Sequence, residues 1–144
     1  MTEVAFHFNL PDKTRYLCRL LRKAAAQGVR VAVTGPPAAL RELDDALWSF
    51  SPTDFVPHCM AGSDSAIAHA SPIVLGGAPS QADHHEVLLN LEAQVPTGFE
   101  RFSRVIEVVG PSEQEVADSR MRWKYYQQRG YALVRHDIGS KGAA

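Results

Sequence analysis

A segment near the carboxyl terminus combines cations with an aromatic side chain on one predicted helical face. At about 100° per residue, Arg120, Trp123, Lys124 and Gln127 fall on the same side of a helix. This face suits a ligand that is both anionic and apolar, such as an acidic peptide ending in a bulky side chain and a carboxylate. A solvated basic face with a half-buried tryptophan is one alternative, and a small phosphate-binding site is another. Between Ser119 and His136 there are no acids and five bases, which are Arg120, Arg122, Lys124, Arg129 and Arg135.

A second segment, residues 36–65, is acidic and contains several aromatic side chains. One arginine stands against five carboxylates, which gives the segment a net charge of −4. Trp48, Phe55, Pro57 and His58 all lie within it. Aromatic side chains where a helix ends can belong to the core, or they can anchor a protein partner, because Trp and Phe contribute strongly to binding. Both interpretations remain open at the level of these residues.

Length and charge exclude several classes of protein. The chain has 144 residues, 45% of them hydrophobic, and a formal charge of −1. This near-neutrality excludes a strongly basic protein held to nucleic acid by bulk charge, and equally an acidic disordered chain. No signal peptide and no apolar run of about 20 residues is visible. Cys18 and Cys59 make a poor disulfide framework, so we expect buried thiols and a reduced, cytoplasmic setting.

The sequence lacks the common catalytic and cofactor-binding motifs. The turn Thr34-Gly35-Pro36-Pro37 has no lysine and two prolines without amide donors, so it is not a P-loop. No dinucleotide fingerprint, nucleophile elbow or histidine pair with metal-ligand spacing occurs. We therefore predict no metal, no cofactor and no intrinsic enzymatic activity. An α/β enzyme or nucleotide-binding domain with a degenerate site near the strand ends is the alternative.

The order of predicted elements indicates an α/β fold. Strands are expected at residues 4–10, 29–34, 73–75, 87–91, 105–109 and 131–134, and helices at 12–27, 36–47 and 112–129. A strand, a helix and a strand in close succession form a βαβ unit with parallel strands. We predict three layers, with helices on both faces of a mostly parallel sheet, in a single domain over residues 1–138. Residues 139–144 are predicted to be a frayed tail.

Two ordered motifs resemble the chi subunit of bacterial DNA polymerase III holoenzyme. The first is the helix end Asp44-Asp45-Ala46-Leu47-Trp48 followed by Phe55-Val56-Pro57-His58. The second is Arg120-x-Arg122-Trp123-Lys124-x-Tyr126 followed by Gly130-Tyr131. The aromatic first strand and the overall length are similar to that family as well, so the resemblance covers essentially the whole chain.

The resemblance implies a Rossmann-like fold without a phosphate-binding loop and a non-catalytic accessory role in the clamp-loader assembly during DNA replication. One surface would pair with the psi subunit, and the matching residues are Trp48, Phe55, Pro57 and His58. Another would bind the acidic, phenylalanine-ended tail of single-stranded DNA-binding protein. Arg120, Trp123 and Lys124 match that site, Val109 is its apolar neighbour, and Gln127 shares their predicted face.

Contact with single-stranded DNA would be indirect, membrane contact is not implied, and the protein would belong to a cytoplasmic, nucleoid-associated replisome. Direct stacking of single-stranded DNA on Trp123 is a third hypothesis.

The chain departs from the family pattern at two places. Trp123 stands where family members carry tyrosine, and Glu115 and Val116 stand in the first half of the last helix, where a further base is expected. Compensation by Arg122 or Arg129 depends on how that helix is oriented.

Overall fold

The elements of the chain alternate between strand and helix. The computed structural model describes residues 2–49, 56–62 and 71–139. Within them, seven strands run over Glu3–Phe8 (β1), Val31–Thr34 (β2), His58–Met60 (β3), Ile73–Leu75 (β4), Val87–Asn90 (β5), Arg104–Val108 (β6) and Ala132–Asp137 (β7). Three α-helices run over Lys13–Ala26 (α1), Pro37–Ser49 (α2) and Glu113–Gln128 (α3). Short 3₁₀ turns occupy Pro79–Gln81 and Phe99–Arg101.

The seven strands form one sheet in the order β3-β4-β2-β5-β6-β1-β7. Every described pair of neighbours is parallel, so the sheet is more regular than the mostly parallel one that the sequence predicts. Parallel strands need crossover connections, and the three α-helices lie in those from β1 to β2, from β2 to β3 and from β6 to β7. β3 and β7 lie at the two edges of this sheet.

The hydrophobic core lies on both faces of the sheet, which confirms the predicted three layers. On one face, Leu17 and Leu21 of α1 and Leu43 and Leu47 of α2 pack against buried strand residues such as Val33. On the other face, α3 packs through the fully buried Tyr126 against an apolar cluster whose strand members include Val4, Phe6, Leu88 and Val105. Because both faces are covered, the central strands are apolar almost throughout.

Local capping signals explain where two of the helices begin. The side chain of Asp12 accepts a hydrogen bond from the backbone amide of Arg15, and that of Ser112 accepts one from Glu115, each over 3.1 Å. These contacts satisfy amides that have no partner within the helix. Both caps determine where α1 and α3 begin, near the carboxyl ends of β1 and β6.

Both cysteines are buried free thiols, as predicted. No helix in the described part of the chain is long and apolar enough to cross a membrane. The predicted frayed tail begins at Gly139, which lies against Asn9. The rest of that tail, residues 140–144, is outside the described residues.

Candidate functional site

A groove with a volume of about 640 Å³ runs between α3 and the strand pair β1 and β7. It begins where β1 and β6 end and where α3 starts. Two strands, one helix and the segments that follow β1 and β6 therefore contribute to it. Its lining residues are Phe6, Phe8, Asn9, Leu10, Val109, Gly110, Pro111, Val116, Ser119, Arg120, Trp123 and Arg135.

The groove is apolar where it is deepest. Phe6 and Val109 are buried, and the half-buried Trp123 packs edge-on against Phe6 with ring centroids 5.2 Å apart. This contact fixes the indole at the side of the groove, where part of it still reaches solvent. An aromatic side chain of a ligand could therefore replace water against Trp123 and Val109, which is favourable because apolar surface is buried.

Two arginines are the charged residues in the described lining, and no carboxylate lies among them. Arg120 comes from α3 and Arg135 from β7, and both are exposed. In the parallel register, Arg135 is the partner of Phe6, so its side chain leaves the sheet on the α3 face. The Arg135 guanidinium carbon lies 5.0 Å from the centroid of the Phe8 ring, a cation–π distance. An apolar groove with cations at its border fits a ligand that is apolar and anionic.

Three of the five residues predicted for this site line the groove together, namely Arg120, Trp123 and Val109. Lys124 and Gln127 are exposed on α3 but do not line it. The helix orientation is the reason, since Arg122 and Tyr126 face the sheet. Lys124 then lies about 200° round the helix from Arg122, towards solvent, and Gln127 lies about one turn beyond Trp123.

Arg122, one of the five bases between Ser119 and His136, is not exposed and has an acidic partner outside that segment. Its Nε donates to Oε1 of Glu107 over 2.9 Å, with the two side chains 5% and 0% exposed. The Tyr126 hydroxyl donates to Oε2 of Glu107 over 2.6 Å, and Asn90 Nδ2 donates to the same carboxylate. Burial raises the pKa of Glu107, while Arg122, Tyr126 and Asn90 oppose that rise by stabilising the charged form.

Arg129 and Glu115 are also occupied by other contacts. The Arg129 guanidinium carbon lies 3.6 Å from the centroid of the Tyr125 ring, and its Nη1 donates to the Tyr125 carbonyl. Glu115 forms an ion pair with Lys13 of α1. Although partial burial alone would raise the pKa of Glu115, the contacts with Lys13 and Ser112 lower it. The negative charge of Glu115 is thus compensated, and neither Arg122 nor Arg129 adds a cation to the groove.

The second predicted surface lies at the β3 edge of the sheet. Trp48, at the end of α2, is 62% exposed, and its ring packs edge-on against that of His58 at 5.2 Å. His58 is buried, with Nε2 3.0 Å from Oδ1 of Asp44 and Nδ1 2.6 Å from the carbonyl of Val56. The structure therefore brings Trp48 and His58 together and leaves Pro57 exposed beside them. Phe55 lies outside the described residues.

Sequence reasoning missed Phe6, Phe8 and Arg135 as groove residues. Phe6 and Phe8 are two positions apart in β1, and side chains two positions apart in a strand lie on the same face of the sheet, so the sequence could have placed them together. No comparable signal existed for Arg135, because its place depends on the pairing of β7 with β1. Asp44, which contacts His58, stands inside the helix-end motif and could have been found there.

The turn after β2, a possible phosphate site in folds of this kind, packs closely against a side chain at Gly35. A Cβ atom at Gly35 would lie only 2.8 Å from the Cβ of Leu91. Gly35 is thus needed for close packing against Leu91, since any larger residue would meet that side chain. This packing favours a structural role for the turn over the alternative of a degenerate nucleotide site.

Together these features define the class of protein. It is an α/β protein with a Rossmann-like, all-parallel sheet in the described residues, and its turn after β2 has no phosphate-loop sequence. In a comparison of folds, it is similar to a chain in the crystal structure of T4 UvsW, with a TM-score of 0.65. The match covers 95% of this chain and 41% of that chain at 7% sequence identity, so the likeness concerns the fold alone.

Sequence comparisons identify the family. Residues 1–134 match the family model of the DNA polymerase III chi subunit, HolC. The chain is 35% identical over 144 residues to DNA polymerase III subunit chi of Pseudomonas aeruginosa, covering 96% of this chain and 98% of the relative. It is 25% identical over 124 residues to the subunit of that name from Haemophilus influenzae, covering 85% of each. The chain therefore belongs to the chi subunit family of DNA polymerase III, as the two sequence motifs predict, and its setting is DNA replication.

Proposed function

We propose that this chi subunit is a non-catalytic adaptor that joins two partners within the clamp-loader assembly. The groove between α3 and β7 would hold the acidic, phenylalanine-ended tail of single-stranded DNA-binding protein. The surface around Trp48 would hold the psi subunit. Contact with single-stranded DNA would then be made through the protein already bound to it.

The observation that carries the tail-binding proposal is the composition of the groove. Phe6, Val109 and Trp123 supply an apolar surface for a phenylalanine ring, and Arg120 and Arg135 supply cations for carboxylates. Guanidinium groups suit this task because they form charge-assisted, often bidentate, hydrogen bonds with carboxylates. The apolar surface and the two arginines together favour a peptide in which a bulky apolar residue stands beside negative charges.

Support for the psi-binding surface comes from the exposure of Trp48. A large aromatic side chain that is 62% exposed beside the exposed Pro57 is an apolar feature that a partner can cover. The ring of His58, which Asp44 contacts, packs against Trp48, so the indole is positioned in advance and less side-chain entropy is lost on binding. The surface lies at the β3 edge, remote from the groove at the β7 edge, so the two partners need not compete.

Calorimetry with a synthetic acidic peptide ending in phenylalanine tests the tail-binding proposal. We expect saturable binding by the full chain, and a loss of about tenfold or more in Trp123→Ala, because a buried aromatic contact contributes roughly 1–3 kcal/mol. Trp123→Phe should retain most of the affinity, since it keeps an aromatic surface against Phe6.

An oligonucleotide titration, made in parallel, separates the adaptor from the alternative of direct DNA binding. The adaptor should bind the peptide and show no comparable affinity for a single-stranded oligonucleotide of similar charge. Tight oligonucleotide binding that Trp123→Ala abolishes, with no peptide binding by the wild-type chain, would favour direct stacking on Trp123 and exclude the tail-binding proposal.

A further inference from the structure

We infer that Arg135, on the edge strand β7, supplies the second carboxylate-binding cation of the groove. This assignment rests on the proposed function, because it concerns the same peptide. It gives β7 a direct part in recognition. Neither the motif on α3 nor the helical wheel includes Arg135 in the site.

The groove needs a cation from outside α3 because the helix itself offers only one. Arg120 is the basic residue of α3 in the lining, and the first half of the helix contributes the uncharged Val116. Arg122 is buried against Glu107, and Arg129 lies over Tyr125. An acidic peptide carries several negative charges, so a single arginine would leave part of that charge without a partner.

Arg135 can supply this second cation because it lies in the groove and has no carboxylate partner among the described residues. It lines the groove and is exposed, and no carboxylate of the described residues lies within 4 Å of its guanidinium. Its neighbour on the same face of β7, Asp137, accepts a hydrogen bond from Asn9 Nδ2 over 3.0 Å. The guanidinium is therefore available to a carboxylate from a ligand.

The contact between Arg135 and Phe8 positions the cation in advance. With its guanidinium carbon 5.0 Å from the ring centroid, the side chain is held over the apolar part of the groove. Arginine can stack on an aromatic ring and still donate from the edge of its guanidinium to a carboxylate. A ligand carboxylate bound there would be adjacent to the apolar side chain that the groove accepts.

Lys124 gives a contrasting case on the same protein. It belongs to the α3 motif, yet it is directed to solvent and does not line the groove. An exposed ammonium at that position contributes mainly to the general field around the site, which salt screens. We therefore expect Arg135 to contribute more to affinity than Lys124.

The experiment is calorimetry on Arg135→Gln, with Arg129→Gln as the matched control and Trp123→Ala as the reference for loss of the site. Each variant of the full chain is titrated with the acidic peptide ending in phenylalanine, and with a neutralised peptide in which every acidic side chain and the terminal carboxylate are replaced by amides. We expect Arg135→Gln to weaken binding of the acidic peptide by about tenfold or more, and Arg129→Gln to leave it unchanged.

The neutralised peptide identifies the cause of that loss. If Arg135 pairs with carboxylates, Arg135→Gln should cost much less affinity for the neutralised peptide than for the acidic one. Arg135→Lys, which keeps the charge but not the planar fork, should lie between Arg135→Gln and the wild type. Thermal unfolding of each variant shows that the fold is intact, as expected for an exposed residue.

Three results would overturn the inference, and they are distinguishable. If Arg135→Gln binds the acidic peptide like the wild type while Trp123→Ala does not, the role of Arg135 is excluded and the tail-binding function stands. If the wild-type chain binds neither peptide, both the role of Arg135 and the tail-binding function fail. An equal loss for both peptides would show that Arg135 acts through packing on Phe8, which also excludes the carboxylate contact.

Discussion

Arg122 and Glu107 form an ion pair in which Nε and Oε1 lie 2.9 Å apart and neither side chain is appreciably exposed. Tyr126 and Asn90 complete the hydrogen bonding of the carboxylate, and Arg122 Nη1 donates to the carbonyl of Ala93 over 2.9 Å. The cluster ties α3 to β6 and thereby sets the rotation of the helix. That rotation is what turns Trp123 and Arg120 towards the groove.

Removing Arg122 should destabilise the protein strongly. Arg122→Met leaves Glu107 buried without its cation, and breaking a buried pair in this way costs about 3–5 kcal/mol. We expect a loss of this size in the free energy of unfolding measured by urea denaturation. Arg120→Gln, an exposed arginine two residues away, is the control and should change stability by less than about 0.5 kcal/mol.

The double variant Arg122→Met with Glu107→Gln tests whether the two charges act on each other. Because the second substitution removes the charge that the first one leaves unpaired, the combined loss should be smaller than the sum of the single losses. Additive losses would contradict a direct interaction between Arg122 and Glu107.

His7 should make stability depend on pH in the acidic range. Burial, together with the charges of His136 and Arg104, lowers the pKa of His7 to about 4. In the unfolded chain the value is about 6.5, so between about pH 6.5 and pH 4 the unfolded state binds a proton that the folded state does not. Protonation of His7 therefore does not affect the free energy of unfolding above about pH 6.5, and it lowers that free energy as the pH falls from about 6.5 towards 4.

Urea unfolding at a series of pH values checks the His7 prediction. The wild type should lose stability as the pH falls from about 6.5 to about 4, and His7→Gln should show a shallower dependence. His85→Gln, which replaces an exposed histidine, should keep the wild-type slope. An unchanged slope in His7→Gln would show that His7 does not cause the dependence.

Trp48→Ala should separate partner binding from folding. Because Trp48 is 62% exposed, its loss should change the free energy of unfolding by no more than about 1 kcal/mol. We expect its affinity for a psi subunit, measured by calorimetry, to fall by about tenfold or more. Met121→Ala removes an apolar side chain that is 69% exposed on α3, and should leave psi binding unchanged. Equal affinities of wild type and Trp48→Ala would remove Trp48 from the proposed interface.

Peptide binding in the groove should weaken steeply with salt. Arg120 and Arg135 are both exposed, and the Debye length falls from about 10 Å at 0.1 M salt to about 3 Å at 1 M. We expect affinity for the acidic peptide to decrease over this range, and affinity for the neutralised peptide to change little. Equal salt dependence for the two peptides would contradict a contribution from charge.

Local signals in the sequence predicted much of the fold. The apolar strands and the helices between them are indicated by patterns among neighbouring residues, and the structure confirms the α/β order that these patterns predict. Trp123 and Arg120 were also placed correctly on a common face, because helical periodicity relates residues three apart.

What the sequence could not predict depends on contacts between distant elements. Arg122 looks like any helical arginine until β6 brings Glu107 against it, from 15 residues earlier in the chain. Arg135 enters the groove only because β7 pairs with β1, and no local pattern contains that pairing. The strand order is likewise a property of the assembled sheet, since four of its six described neighbouring pairs join strands that are not consecutive in sequence.

The strand order also determines a length. β3 and β7 are separated by six interstrand steps, each of about 4.8 Å, so the two edges of the sheet lie roughly 29 Å apart. Backbone hydrogen bonds across five intervening strands hold that separation, and no flexible linker is needed to maintain it. Molecules attached at the two edges would be kept apart by a rigid spacer whose size is set by the number of strands.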